Sequence, residues 1–242
     1  MGRHGTIAGR KAAQDNKRAA IFTKYARAIM VAAKGGGDPG SNASLKNAID
    51  KARGINMPND KITRAIKKGT GELEGESYET ASFEGYGPSG VAVIVDVLTD
   101  NKNRTTSAVK HAFDRFGGNL GVPGCVSYMF ERKGVILIEM GAGADEDAIM
   151  EAGLDAGLED IIDADEFFEI RTTPDDFLAV AEALRGAGYE LAESDVEYIP
   201  NMETAPKNDA DLRALVRLID ALDENDDVQK VYTNSAVELV SE

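Results

Sequence analysis

Apolar residues recur at helical spacing through the first third of the chain. From Asn16 to Ala33, Phe22, Tyr25, Ile29 and Ala33 share one face, while Lys17, Lys24, Arg27 and Lys34 lie on the other. That period predicts an amphipathic helix. The run Gly35-Gly36-Gly37-Asp38-Pro39-Gly40 ends it, since Gly and Pro interrupt helical pairing. Ser41 or Asn42 then caps a second helix that turns Leu45, Ala48, Ile49 and Ala52 inward and stops at Gly54. A third short helix follows Asn56-Met57-Pro58, with proline near the first turn, where its missing N–H costs nothing. Ile62, Ala65 and Ile66 face inward there, and Lys61, Arg64, Lys67 and Lys68 take the outer arc up to Gly69-Thr70-Gly71. The pattern predicts a small helical bundle with a basic exterior.

Beyond Gly71 the period changes. Between Gly90 and Leu98, Val91, Val93, Val95 and Val97 alternate with Ala92, Ile94, Asp96 and Leu98, which suits a strand buried on both faces. A helix is expected from about Thr106 to Phe116, with Val109, Ala112, Phe113 and Phe116 as its stripe, and Val126–Phe130 reads as a strand. Residues 135–199 read strand, helix, strand, strand, helix, strand. The strands are Val135–Met140, Asp160–Ala164, Phe167–Thr172 and Tyr189–Ile199; the helices centre on Ile149 and on Phe177, Val180, Ala181 and Leu184. This order is that of a ferredoxin-like unit. A last helix over residues 208–223 and a strand at Val228–Thr233 supply what residues 78–133 lack. The expected fold class is therefore α+β: a helical N-terminal domain followed by two ferredoxin-like α/β domains, the third inserted in the second. The expected boundaries are 1–76, 77–134 with 205–242, and 135–204.

Charge sharpens this division. The net charge is −15, which taken whole argues against a nucleic-acid partner. Residues 1–71, however, hold fifteen Lys and Arg against four acids (Asp15, Asp38, Asp50, Asp60), a balance of +11, and the remaining 171 residues stand at −26. Such asymmetry is a cue for nucleic-acid contact or an acidic interaction surface. Screening over about 8 Å at physiological salt lets a basic lobe hold phosphates beside a distant acidic one. No stretch approaches the roughly 20 apolar residues of a membrane span, and the first residues lack the apolar core of a signal peptide. One cysteine, Cys125, cannot form an internal disulfide. A cytoplasmic location is expected.

Several runs carry a family resemblance. They are Gly36-Gly37-Asp38-Pro39, Ala48-Ile49-Asp50-Lys51-Ala52-Arg53, and Asn56-Met57-Pro58-Asn59-Asp60-Lys61-Ile62 leading into Arg64-Ala65-Ile66-Lys67-Lys68-Gly69-Thr70-Gly71. Further on come Glu84-Gly85-Tyr86-Gly87-Pro88, Leu98-Thr99-Asp100-Asn101-Lys102-Asn103-Arg104-Thr105, Gly117-Gly118-Asn119-Leu120-Gly121, Leu218-Ile219-Asp220-Ala221-Leu222 and Asp226-Asp227-Val228-Gln229-Lys230-Val231-Tyr232. In this order they resemble the YebC/PmpR family over nearly the whole length. The resemblance implies a three-domain protein and a regulator of gene expression: a DNA-binding transcriptional regulator, or, by its mitochondrial translational-activator members, a factor bound to the ribosome or its RNA. The chain departs from the family at its start. There Gly5-Thr6-Ile7-Ala8-Gly9-Arg10-Lys11 lacks the usual tryptophan, though Arg10 and Lys11 keep positive charge.

The candidate phosphate-binding residues are Arg10, Lys11, Lys17, Arg18, Lys24, Arg27, Lys34, Lys46, Lys51, Arg53, Lys61, Arg64, Lys67 and Lys68. Each neutralised phosphate releases condensed cations, so affinity should fall steeply with salt. Cations at phosphates carry position, not sequence; Asn47, Asn59 and Arg64 are the residues that could reach base edges. Secondary candidates are Lys102 and Arg104, near a helix N-terminus where an anion would sit, and Tyr86, which could stack on a base. The bland readings are a capped turn using Thr105 or Thr106, and a half-buried tyrosine. The acidic runs, including Asp223-Glu224-Asn225-Asp226-Asp227, read as solvated faces or as a docking site for a basic protein partner. None has the spacing of a calcium loop. His4 and His111 lack metal-ligand neighbours, and no phosphate loop or nucleophile elbow appears. Neither metal, cofactor nor small-molecule substrate is expected, and the chain reads as a non-enzyme. An adaptor acting through the acidic domains, or a phosphatase using Asn103 and Arg104, are the other classes weighed.

Overall fold

A computed structural model describes residues 7–141, 145–164, 166–237 and 239. Three helices open it: α1 (Ile7–Ala33), α2 (Ala43–Gly54) and α3 (Asn59–Gly69). The Asn42 side chain caps α2 by accepting the Leu45 N–H, and its amide donates to the Ala32 and Gly36 carbonyls, tying the α1–α2 turn. Phe22, Ile29, Ala33, Leu45, Ile49, Ala52, Met57, Ile62 and Ala65 form the bundle's own core. All but Met57 are positions that the helical spacing turned inward; Tyr25, Ala48 and Ile66, also expected inward, are only partly buried against this core.

Two four-stranded sheets follow. The first comprises β1 (Glu79–Tyr86), β2 (Ala92–Thr99), β3 (Asn119–Leu120) and β8 (Val228–Thr233), in the order β3-β1-β2-β8. Helices α4 (Lys102–Arg115) and α7 (Asp209–Asp223) pack Val109, Phe113, Leu215, Leu218 and Leu222 onto Val91, Val93, Val95 and Val97. The alternate residues Ala92 and Ile94 meet Val126, Phe130 and Tyr232 on the other face. Strand β2 is thus buried on both faces, the reason its sequence is apolar on both sides apart from the partly buried Asp96 and the terminal Thr99.

The second sheet holds β4 (Phe130–Glu139), β5 (Leu158–Ala164), β6 (Phe167–Thr172) and β7 (Glu193–Pro200), ordered β5-β6-β4-β7. Helices α5 (Glu146–Gly153) and α6 (Phe177–Gly186) cover it, with Ile149, Val180 and Leu184 set against Ile136, Ile138 and Ile170. All strand pairs are antiparallel, and the order is that of a ferredoxin-like unit. Its segment leaves the first sheet after β3 and returns before α7. The fold class is the α+β class expected, with helices first and two sheets after.

Three local expectations need correction. Val126–Phe130 is not a strand: Ser127–Met129 form a single tight turn, and one strand then runs unbroken from Phe130 to Glu139. The Glu84 carboxylate accepts the N–H groups of Gly124, Val126 and Ser127, which holds that loop out of a ladder. Helix α4 starts at Lys102 rather than Thr106, because the Asn101 side chain caps it by accepting the Arg104 N–H. Residues 189–192 precede β7 rather than belonging to it.

Candidate nucleic-acid interface

Helix α3 presents the exposed cations. Ile62 and Ala65 anchor it in the bundle core, which turns Lys61, Arg64 and Lys67 to solvent and leaves Lys68 half-buried. Asp60 lies in its first turn and Lys67 and Lys68 in its last, as the helix dipole favours. Phe22 on α1 links the two helices. The Lys61 ammonium lies 4.9 Å from the centre of its ring and the Arg18 guanidinium 5.3 Å from it. One aromatic ring thus gathers a cation from each helix. None of Arg18, Lys61, Arg64, Lys67 or Lys68 makes an ion pair among the described residues. Arg53 is also exposed and lies 3.8 Å from Asp50. Arg10, Lys11 and Lys17 fall within the bounds of α1, but their side chains lie outside the described residues.

The remaining basic candidates are turned toward the rest of the chain. Arg27 is the clearest correction: it is 9% exposed and pairs with Asp227 at 3.0 Å. It also donates to the Asp226 carbonyl and stacks on Tyr78, so it is closed to a phosphate. Lys24 donates to the Asp223 carbonyl, at the negative end of α7. Burial lowers the Lys24 pKa despite the nearby charges of Asp223 and Asp226. Lys34 donates to the Tyr78 carbonyl. Lys46 pairs with Glu182 at 2.8 Å and Lys51 with Asp195 at 2.9 Å. Asn47, read as a base-edge reader, is buried and accepts from Ser194 and Arg185. Asn59 stays exposed at the start of α3.

The secondary candidates fare unevenly. Arg104 bonds Asp100 at 2.7 Å and Asp227 at 2.9 Å, and these bonds hold its guanidinium pKa above the ordinary value. Its charge is already answered. Lys102 is exposed in the first turn of α4. The Tyr86 hydroxyl donates to the Cys125 carbonyl and its ring packs partly buried on the core.

Asp227 was legible only as part of an acidic run, yet it is 4% exposed. Besides Arg27 and Arg104 it accepts from Thr105 at 2.6 Å and from Thr99. Burial pushes its carboxyl up. The hydrogen bonds from Thr105 and Arg104 and the charges of Arg104 and Arg27 outweigh that and hold it below the ordinary 3.8. A carboxyl depressed on folding stabilises the fold fully above its unfolded pKa and loses that contribution as pH falls through its folded value. We expect the stability of the wild type to fall more steeply than that of Asp227→Asn below about pH 4 in acid-unfolding titrations. Parallel curves would remove Asp227 from the acid response.

Among the described residues no helix is long and apolar enough to cross a membrane, and no cluster of His, Cys, Asp and Glu could hold a metal ion. Exposed Tyr128 and Val122 had no sequence signal, being apolar residues in a loop.

Comparison with known proteins places this architecture. Residues 3–72 match the family model described as "TACO1/YebC protein N-terminal domain", and residues 78–235 match "TACO1/YebC second and third domain". A "Probable transcriptional regulatory protein" of Clostridioides difficile (strain 630) is 54% identical, covering 98% of this chain and 100% of that one. One from Persephonella marina is 51% identical, covering 94% and 92%. A crystal structure titled as a conserved hypothetical protein from Aquifex aeolicus superposes with a TM-score of 0.81 at 41% identity, over 94% of this chain and 95% of that one.

Proposed function

Since the chain belongs to the TACO1/YebC family, we propose that it is a cytoplasmic, non-enzymatic regulator of gene expression that grips a nucleic-acid backbone with α3 and the adjoining face of α1. The observation that carries this reading is the group of cations formed by Arg18, Lys61, Arg64, Lys67 and Lys68, unpaired among the described residues. A surface serving only solubility mixes both signs, and here Asp60 is the one acid on α3. The regulatory names of the relatives favour duplex DNA as the target. RNA phosphates would satisfy the same cations, as on the ribosome.

The contact is electrostatic, so its signature is salt dependence. Replacing Lys61, Arg64, Lys67 and Lys68 with Ala should weaken binding to all duplex sequences alike. It should also flatten the log–log salt dependence by about 0.9 for each phosphate that the variant no longer neutralises. Fluorescence anisotropy with duplex DNA and with RNA of equal length measures both and ranks the two targets. An unchanged slope would remove α3 from the interface.

A further inference from the structure

The bundle and the second sheet meet across a seam that carries polar contacts along α2. The bundle core and the core of the second sheet share no residue. Helix α2 instead presents Lys46, Asn47 and Lys51 to Glu182 and Arg185 on α6 and to Asp195 on β7. Both outer pairs are solvent-accessible: the side-chain exposures are 41% and 49% for Lys46 and Glu182, and 26% and 39% for Lys51 and Asp195. Exposed pairs of this kind hold weakly and yield to salt and to competing charge. Between them Asn47 accepts from Ser194 and Arg185 as a buried but uncharged link, and the bundle's buried ion pair is elsewhere, where Arg27 meets Asp227 in the first sheet unit.

We propose that Glu182 and Asp195 are stand-ins for phosphate: they occupy Lys46 and Lys51 in the free protein, and a nucleic-acid backbone displaces them. The proposal rests on the phosphate-gripping reading above and extends it to regulation. The carboxylates present to each ammonium the same chemistry as a phosphate oxygen, a charge-assisted acceptor at under 3 Å. Two cations of a lobe otherwise poor in acids are thereby masked. Opening the seam exposes them on α2, and the Arg27–Asp227 pair on α1 remains as the pivot. The net effect is an autoinhibited lobe with a second row of phosphate contacts held in reserve. Neutralising the stand-ins leaves every candidate cation in place, so the expected change is a gain in binding and not a reduction.

The test is anisotropy on the full chain, with duplex DNA of about 20 base pairs and a single-stranded RNA of the same length as probes. Glu182→Gln with Asp195→Asn should bind about 3- to 10-fold tighter than wild type at low salt, and the two should converge as salt rises. The control is Asp160→Asn with Asp163→Asn. It removes the same charge from β5, at the far edge of the sheet from β7, and should give less than half that gain. Adding Lys46→Gln and Lys51→Gln to the seam variant should abolish the gain. A gain equal to the control's, or one that survives the lysine replacements, overturns the proposal while leaving the α3 contact intact. Failure of wild type and seam variant alike to bind either probe overturns both.

Discussion

Replacing Asp227 with Ala should cost about 3–5 kcal/mol of stability, the range for removing one partner of a buried ion pair. The Asp227 and Arg27 side chains are 6% and 10% exposed, so the guanidinium left behind has little water to turn to. The effect spreads because one carboxylate ties four segments. It receives Thr99 at the end of β2, Thr105 and Arg104 in the first turns of α4, and Arg27 from α1. With Asp227 gone, the start of α4 keeps its Asn101 cap but is no longer tied to the segment before β8, and the bundle has no buried ion pair to the first sheet. Urea unfolding followed separately by hydrogen exchange in α1 and in β2 measures both, which matters for a chain of several units that need not unfold in one step. Arg27→Met combined with Asp227→Ala should recover part of the stability, because the penalty lies in the orphaned charge rather than in the missing bond. A cost below about 1 kcal/mol, in the range of an exposed pair, would show that Arg27 swings out to solvent and that the tie is dispensable.

The same residue marks the limit of what the sequence discloses. Helix faces follow from spacing along the chain, so the period alone places Phe22, Ile29, Leu45, Ile49, Ile62 and Ala65 inward, where the bundle core holds them. Alternation of two apolar sets likewise reveals β2 as buried on both faces, and strand order reveals the ferredoxin-like unit. These are local periodicities. Asp227 sits in a run of acids that looks uniformly solvated, and the arginine that buries it lies 200 positions away. The basic lobe shows the same limit. Its surplus of positive charge is plain from the residues, but which cations are free is not. Lys24, Arg27, Lys34, Lys46 and Lys51 are spent on distant carbonyls and carboxylates, while Arg18, Lys61, Arg64 and Lys67 stay exposed. Pairing is tertiary and leaves no period. The start of α4 is misplaced by the pattern for a related reason. Asn101 and Thr105 are both competent caps, and Thr105 is claimed by Asp227.

Gly69→Val should disable the proposed interface without removing a single charge. Gly69 is the last residue of α3, where that helix crosses α1. A Cβ there would run into the Met30 carbonyl oxygen and sit 2.7 Å from the Ala33 Cβ and 3.0 Å from the Met30 Cα. Two of these three are backbone atoms of α1, which cannot rotate away as a side-chain tip would. Overpacking of this sort costs about 1–3 kcal/mol and more where the backbone must move, and the γ-methyls of valine put this substitution at the upper end. The strain falls on one crossing, so α3 should tilt from α1. The link between Lys61 and Arg18 through Phe22 would then open. We expect amide exchange to accelerate through α1 and α3 while β2 and β4 keep their protection, and affinity for duplex DNA to fall with all cations present. Gly54→Val is the matched control, since a Cβ at that helix end meets nothing within 4 Å. If Gly69→Val bound DNA as wild type while its α3 amides exchanged faster, the geometry of the α1–α3 crossing would be irrelevant to binding. The cations would then act through their number alone.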